Sequence, residues 1–226
     1  MTSMRYAIYF MPCTSNRLWT FGSAVLGYDA STGQAVAHPA PELPLPEWTA
    51  DPRRYGFHAT LKAPFGLREE EAEAGLLQAA GEFARRQRAF EVPACHIAAL
   101  GRFIALVPSA RCEPLHALAD ACVIDFDRFR APLSAADRAR RLAQPLGPRL
   151  EAQLERWGYP YVFDDFQFHM TLSGPLPEAD RLRFLAMLQA LYAPLAGPLA
   201  VDGIAVFRQA DREARFAVLE RFGFGL

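Results

Sequence analysis

Two histidines, His58 and His169, each stand two residues before a threonine in one repeated phrase, Phe-His-x-Thr-Leu-x-x-Pro. The first copy runs from Phe57 to Pro64 and carries Thr60; the second runs from Phe168 to Pro175 and carries Thr171. On a β-strand, residues i and i+2 project from the same face about 6.5 to 7 Å apart. Each phrase therefore presents an imidazole and a hydroxyl together. Histidine titrates near neutrality, so one ring can accept a proton while a second donates one. In-line displacement at phosphorus needs that pair: a base for the attacking water and an acid for the leaving oxygen. Threonine hydroxyls suit the non-bridging phosphate oxygens as uncharged donors. The arrangement requires no metal and no cofactor.

The surrounding pattern places both phrases on strands. Arg54, Gly56, His58, Thr60 and Lys62 alternate with Tyr55, Phe57, Ala59 and Leu61, which predicts a strand over Arg54–Lys62 with one polar and one apolar face. Asp165, Gln167, His169, Thr171 and Ser173 alternate in the same way with Phe166, Phe168, Met170 and Leu172. The repeat extends further. Helices are expected over Glu69–Arg88 and Glu178–Tyr192, each followed by a hairpin, at 92–107 and 199–222. Arg5–Met11 reads as a buried strand, residues 13–52 as a long connection with at most a short helix, and His38–Pro52 as loop. Helices are also expected over Glu113–Phe129 and Leu146–Trp157, flanking a basic stretch with Arg138, Arg140 and Arg141. One α+β domain over 1–226 follows, with lobes of about 1–110 and about 111–226 related by a pseudo-twofold axis. The two central strands would lie side by side or face one another across a groove.

Composition narrows the partners. Of 226 residues, 51% are apolar and 22% charged, the balance of a globular chain with a sizeable core. A net charge of −1 argues against a long nucleic acid, which needs a surplus of cations. Cys13, Cys95, Cys112 and Cys122 form no zinc or disulfide pattern, and no run reaches membrane-spanning length. A cytoplasmic monomer acting on a small molecule is the expectation, without a membrane partner. The absence of a Gly-rich phosphate loop, a Gly-x-Ser-x-Gly elbow and His-Glu-x-x-His removes support for triphosphate, serine hydrolase and zinc protease chemistry.

The paired His-Ala-Thr-Leu and His-Met-Thr-Leu motifs resemble those of the 2H phosphoesterase superfamily. Arg54–Phe65 and Trp157–Tyr161 (Trp-Gly-Tyr-Pro-Tyr) are similar to the phosphonate-metabolism proteins within it. The resemblance implies a bilobal fold with two antiparallel sheets flanking a central groove and helices outside. It implies a phosphodiesterase for small cyclic or 2′,5′-type diesters, with His58 and His169 as acid and base and Thr60 and Thr171 as phosphate ligands. A phosphorylated sugar is a substrate by association with phosphonate degradation.

Further candidates come from position. Lys62, the only lysine, shares the face of His58 and could clamp a phosphate or be a strand-end cation. Arg54, Gln167 and Ser173 share the polar faces and could contact or orient a ligand. Arg130, Tyr159 and Tyr161 could line the groove, the rings stacking on a base or sugar, or could be loop packing. Asp164 and Asp165 suggest a turn or hydrogen-bond partner rather than a metal site. Two rival functions accompany the diesterase reading: a module that binds a nucleotide or sugar phosphate without turnover, and an enzyme processing RNA 2′,3′-cyclic ends.

Overall fold

The computed structural model of the chain describes residues 4–143 and 145–225. In chain order the elements are β1 (Arg5–Phe10), α1 (Arg17–Leu26), β2 (Tyr28–Asp29), β3 (Gln34–Ala35), α2 (Leu45–Trp48), α3 (Ala50–Arg53), β4 (Ala59–Phe65), α4 (Glu73–Arg86), β5 (Phe90–Val92), β6 (Cys95–Leu100) and β7 (Phe103–Pro108). They continue with α5 (Glu113–Asp125), α6 (Ala135–Arg141), α7 (Pro148–Trp157), β8 (Met170–Thr171), α8 (Glu178–Tyr192), β9 (Leu199–Val201), β10 (Gly203–Gln209) and β11 (Ala217–Gly223). Short 3-10 turns lie at Asp127–Phe129, Phe163–Asp165 and Ala193–Leu195.

Local chemistry accounts for the main helices. In α4, Leu76, Ala80, Phe83 and Ala84 are buried on one face, with Glu73 in the first turn and Arg85 and Arg86 in the last, matching the helix dipole. In α8, Phe184, Leu188 and Tyr192 are buried at a spacing of four. The 13–52 connection is more ordered than its composition suggests. Asn16 caps α1 by accepting from the Leu18 N–H at 2.8 Å, and Gly27 closes it at a φ of +69°. The proline-rich run expected as loop contains the single-turn helices α2 and α3, with Leu45, Trp48 and Pro52 buried.

Seven strands form one sheet in the order β11-β10-β1-β4-β8-β7-β6, and every pairing is antiparallel. The two antiparallel halves are joined edge to edge where β4 meets β8, at the pair Ala59–Met170. The groove therefore runs over the middle of a continuous sheet. The hairpins have also exchanged sides. The early hairpin β6–β7 pairs with β8 of the second phrase, while the late hairpin β10–β11 pairs with β1 beside the first. Helix α4 packs on β10 and β11, and α8 on β6 and β7. Each half of the sheet thus mixes strands from before and after residue 110. A boundary near that residue does not divide the sheet, because a hairpin carries no local signal of which edge it will join.

The apolar face of both phrases enters a single core. Phe57, Ala59 and Leu61 are buried, as are Phe168, Met170 and Leu172. Helix α1 sits close against this layer because its Gly22 has no Cβ; an added one would fall 2.1 Å from the Phe57 ring. All four cysteines are free thiols. Among the described residues, no helix is long and apolar enough to cross a membrane.

Candidate active site

The Ala59–Met170 pairing fixes the geometry of the two phrases. Continuing that antiparallel register by one residue each way sets His58 opposite Thr171 and Thr60 opposite His169, all four on the face away from Ala59 and Met170. Directly opposed side chains have Cβ atoms about 4.5 to 5.5 Å apart, and diagonal ones about 7 to 8 Å. The histidines occupy one diagonal and the threonines the other. The central strands are therefore side by side.

Both imidazoles are oriented in the same way. His58 Nδ1–H donates to the Gly56 carbonyl at 2.9 Å, and His169 Nδ1–H donates to the Gln167 carbonyl at 2.7 Å. Each bond reaches back two residues and leaves Nε2 to face a ligand. In the first copy the chain reaches this position through Gly56 at a φ of +76°, where a Cβ would lie 2.6 Å from Ala30 Cβ. The Thr60 hydroxyl lies 3.3 Å from His58 Nε2.

The electrostatic settings differ. Tyr9, paired with Thr60 across β1 and β4, stacks on His58 with centroids 3.7 Å apart and planes at 22°. Burial pushes the His58 imidazole down to about 4; the Gly56 carbonyl opposes this and His169 adds to it. Burial also lowers His169, with the Gln167 carbonyl opposing, and its ring meets Phe103 at 5.9 Å. Burial thus favours the neutral imidazole at both positions.

Two cavities lie at these side chains and share Thr60, Ala63 and Tyr159. One, of about 360 Å³, is walled by Phe103, Tyr159, Tyr161, Phe163 and Phe166 with Gln167 and His169. The other, of about 580 Å³, holds His58, Thr60, Thr171, Tyr9 and Tyr55 together with Arg5, Arg54, Arg140, Arg141 and Arg212. Phe163 adopts a φ of +56°, rare for a side chain of this size, at the wall of the first.

Of the residues singled out from sequence, His58, His169, Thr60, Thr171, Gln167, Tyr159 and Tyr161 converge here. Arg54 joins them from the end of α3 rather than from a strand, and its guanidinium donates to the Arg212 carbonyl. The strand expected over Arg54–Lys62 begins only at Ala59, and that over Asp165–Ser173 shrinks to Met170–Thr171. Asp165 instead pairs with Arg149 from the 3-10 turn.

Three candidates are corrected. Lys62 pairs with Ile8 across a register shift that separates it from the Thr60–Tyr9 pair, and it is 3% exposed where α5 packs on β4. Its ammonium donates to the Val123 carbonyl at 2.9 Å and to Asp127 at 3.2 Å, and burial lowers it to about 8. Arg130 belongs to the same cluster: it contacts Asp127 at 2.7 Å and donates to the Arg156 carbonyl at 2.9 Å, and it lines a cavity with Arg5, Arg140, Arg141 and Arg212 rather than either of the two cavities at the motif histidines. Ser173 borders a neighbouring 260 Å³ cavity with His58 and Thr171, yet its hydroxyl accepts from the Ile104 N–H at 2.9 Å and donates to the Gly174 carbonyl. Neither Lys62 nor Ser173 is free for a phosphate.

Sequence reasoning missed Tyr9, Tyr55, Phe103 and the arginines other than Arg54. Tyr9 is hidden in an aromatic strand that reads simply as core. The basic stretch did signal Arg140 and Arg141, but not that α6, capped by Ser134 at 3.1 Å from the Asp137 N–H, would turn them toward the site.

Comparison with known proteins adds the family. A relative from Janthinobacterium sp. (strain Marseille), named ribose 1,5-bisphosphate phosphokinase PhnN, is 38% identical over 97% of this chain and 51% of its own. A protein of the same name from Laribacter hongkongensis (strain HLHK9) is 36% identical over 94% of this chain and 50% of its own. The chain thus spans about half the length of these curated relatives. Among solved structures, E. coli LigT in complex with NADP+ superposes with a TM-score of 0.45 at 16% identity, covering 100% of both chains. A phosphoesterase gives 0.46 at 15%, covering 99% of both. The family model described as "Protein of unknown function (DUF1045)" matches residues 60–217, taking in Thr60, His169 and Thr171 and starting just after His58. A match over that much of the chain decides its membership: it belongs to the DUF1045 family.

Proposed function

We propose that the chain is a metal-independent phosphodiesterase that opens a small cyclic phosphodiester of a sugar or nucleotide. The observation that carries this reading is the Ala59–Met170 register, which sets two histidines and two threonines on one face with both Nδ1 atoms anchored to backbone carbonyls. With Nδ1 protonated, each neutral ring offers an Nε2 lone pair. His58, held furthest toward the neutral form, accepts a proton from the attacking water as the new P–O bond forms. An anionic diester raises both imidazoles, and His169, once protonated, returns a proton from Nε2 to the leaving oxygen as the old P–O bond breaks. Thr60 and Thr171 donate to the non-bridging oxygens, where charge builds in the transition state.

The relatives' kinase name is not carried over. Transfer from a nucleoside triphosphate relies on a Gly-rich loop ending in lysine, whereas the single lysine here is buried against Asp127. The sugar phosphate in that name supports a phosphorylated sugar as the substrate class.

The test is turnover of a panel of cyclic phosphates in the presence of a chelator. His58→Ala and His169→Ala should each cost about 10² to 10⁴ in rate. Unchanged turnover in either variant would overturn the mechanism. Saturable binding with no turnover across the panel would make the protein a binding module.

A further inference from the structure

The cavity beside His58 carries more positive charge than one diester requires. A cyclic diester bears a single negative charge, which the two histidines and two threonines already address. Arg5, Arg54, Arg140, Arg141 and Arg212 nevertheless line the same space, and Glu213 is the carboxylate among its lining residues. Asp137 lies behind them and is shared by Arg140 at 2.6 Å and by Arg212. Counting both carboxylates, the five arginines keep a surplus of three positive charges in a chain whose net charge is −1.

These guanidiniums are not each neutralised locally. Arg5 bonds the neutral amide of Gln209, with Nε at 2.8 Å, and Arg54 a backbone carbonyl. Arg141 lies over the Tyr159 ring at 5.1 Å, and its Nε is buried without a hydrogen-bond partner among the described residues. Burial lowers both Arg5 and Arg141, and Arg212 and Arg140 lower Arg5 further. A buried unsatisfied donor within a cluster of like charges is costly in the free protein and is relieved by an anion. Planar guanidiniums match the paired oxygens of a phosphoryl group.

We propose that this arginine cavity is a second anion subsite, which takes a phosphoryl group carried by the same substrate molecule whose diester lies between His58 and His169. The inference rests on the diesterase reading and narrows it to cyclic phosphodiesters bearing a second, remote phosphate. Thr60 lines the cavity and belongs to the diester site, so one compact molecule can span both. Arg141 and Arg5 are the specificity-determining residues.

The experiment compares adenosine 2′,3′-cyclic phosphate with its 5′-phosphorylated counterpart. The wild type should favour the phosphorylated probe in kcat/KM by about tenfold to a hundredfold, as charge-assisted hydrogen bonds imply. In Arg141→Gln and Arg5→Gln the preference should fall toward one, Arg141→Lys should recover part of it, and added salt should weaken it. Equal use of both probes by the wild type, with turnover intact, would sink the subsite and leave the diesterase standing. Activation of the unphosphorylated probe by added inorganic phosphate would assign the arginines to a free ion and also overturn the proposal. If neither probe turns over, calorimetry with adenosine 2′,5′-bisphosphate and adenosine 2′-monophosphate decides. Tighter binding of the bisphosphate that is lost in Arg141→Gln upholds the subsite while the diesterase reading falls; equal affinities overturn it.

Discussion

His58 lies beneath Tyr9 with ring centroids 3.7 Å apart, whereas His169 meets Phe103 at 5.9 Å with the planes tilted by 55°. His58 opens on the arginine cavity, which Thr171 also lines, and His169 on the aromatic one, with Thr60 lining both. The backbone anchor is common to both: each Nδ1–H donates to the carbonyl two residues earlier. The repeated phrase thus specifies the tautomer and the facing of each ring, while neighbours outside it specify how readily each takes a proton. That asymmetry suits the separate acid and base roles proposed for the two rings.

The largest effect tests that division of labour. With a p-nitrophenyl diester, whose leaving group needs no proton, His169→Ala should recover most of its deficit of about 10² to 10⁴-fold, while His58→Ala should not. Equal recovery in the two variants, measured as kcat on each diester, would erase the distinction. Next in size, Thr60→Val and Thr171→Val should each lower kcat by about 10², the cost of one donor to a developing oxyanion. A rise in KM alone would restrict the hydroxyls to binding.

Tyr9→Leu should act on His58 and spare His169. Removing the ring lets water reach the imidazole, so its proton affinity climbs from about 4 toward the ordinary value and the acidic limb of the pH-rate profile moves upward. Histidine NMR titration of the variant checks the same shift directly, and an unmoved His58 resonance would show that Tyr9 is not its cause.

A smaller effect appears in stability. The folded His58 titrates near 4 and an unfolded histidine near 6.5, so between those values the unfolded chain holds a proton that the folded one refuses. Tm should therefore fall as pH drops from about 6.5 to about 4, less steeply in His58→Asn. Smallest in its effect on catalysis is Lys62→Met. Asp127 keeps Arg130 and Arg156, but the Val123 carbonyl loses its donor, so about 1 to 3 kcal/mol of stability should go while kcat/KM on any diester changes little. A variant that kept its Tm and lost affinity for phosphate would return Lys62 to the site.

Alternation and repetition are local properties, and they carried the reading of His58, Thr60, His169 and Thr171, of the buried face opposite them, and of helices such as α8. The sequence by itself also framed the expectation of a small-molecule partner, from two His-x-Thr phrases in a chain of near-zero net charge. Tertiary structure decided the rest. It settled that β4 and β8 lie edge to edge, that the hairpins exchange sides, and that α5 covers Lys62 while leaving Thr60 open. It also brought Arg5, Arg141 and Arg212, far apart in the chain, to one cavity. Side-chain periodicity tells which residues share a face; which part of that face remains open depends on helices whose sequence carries no record of where they dock.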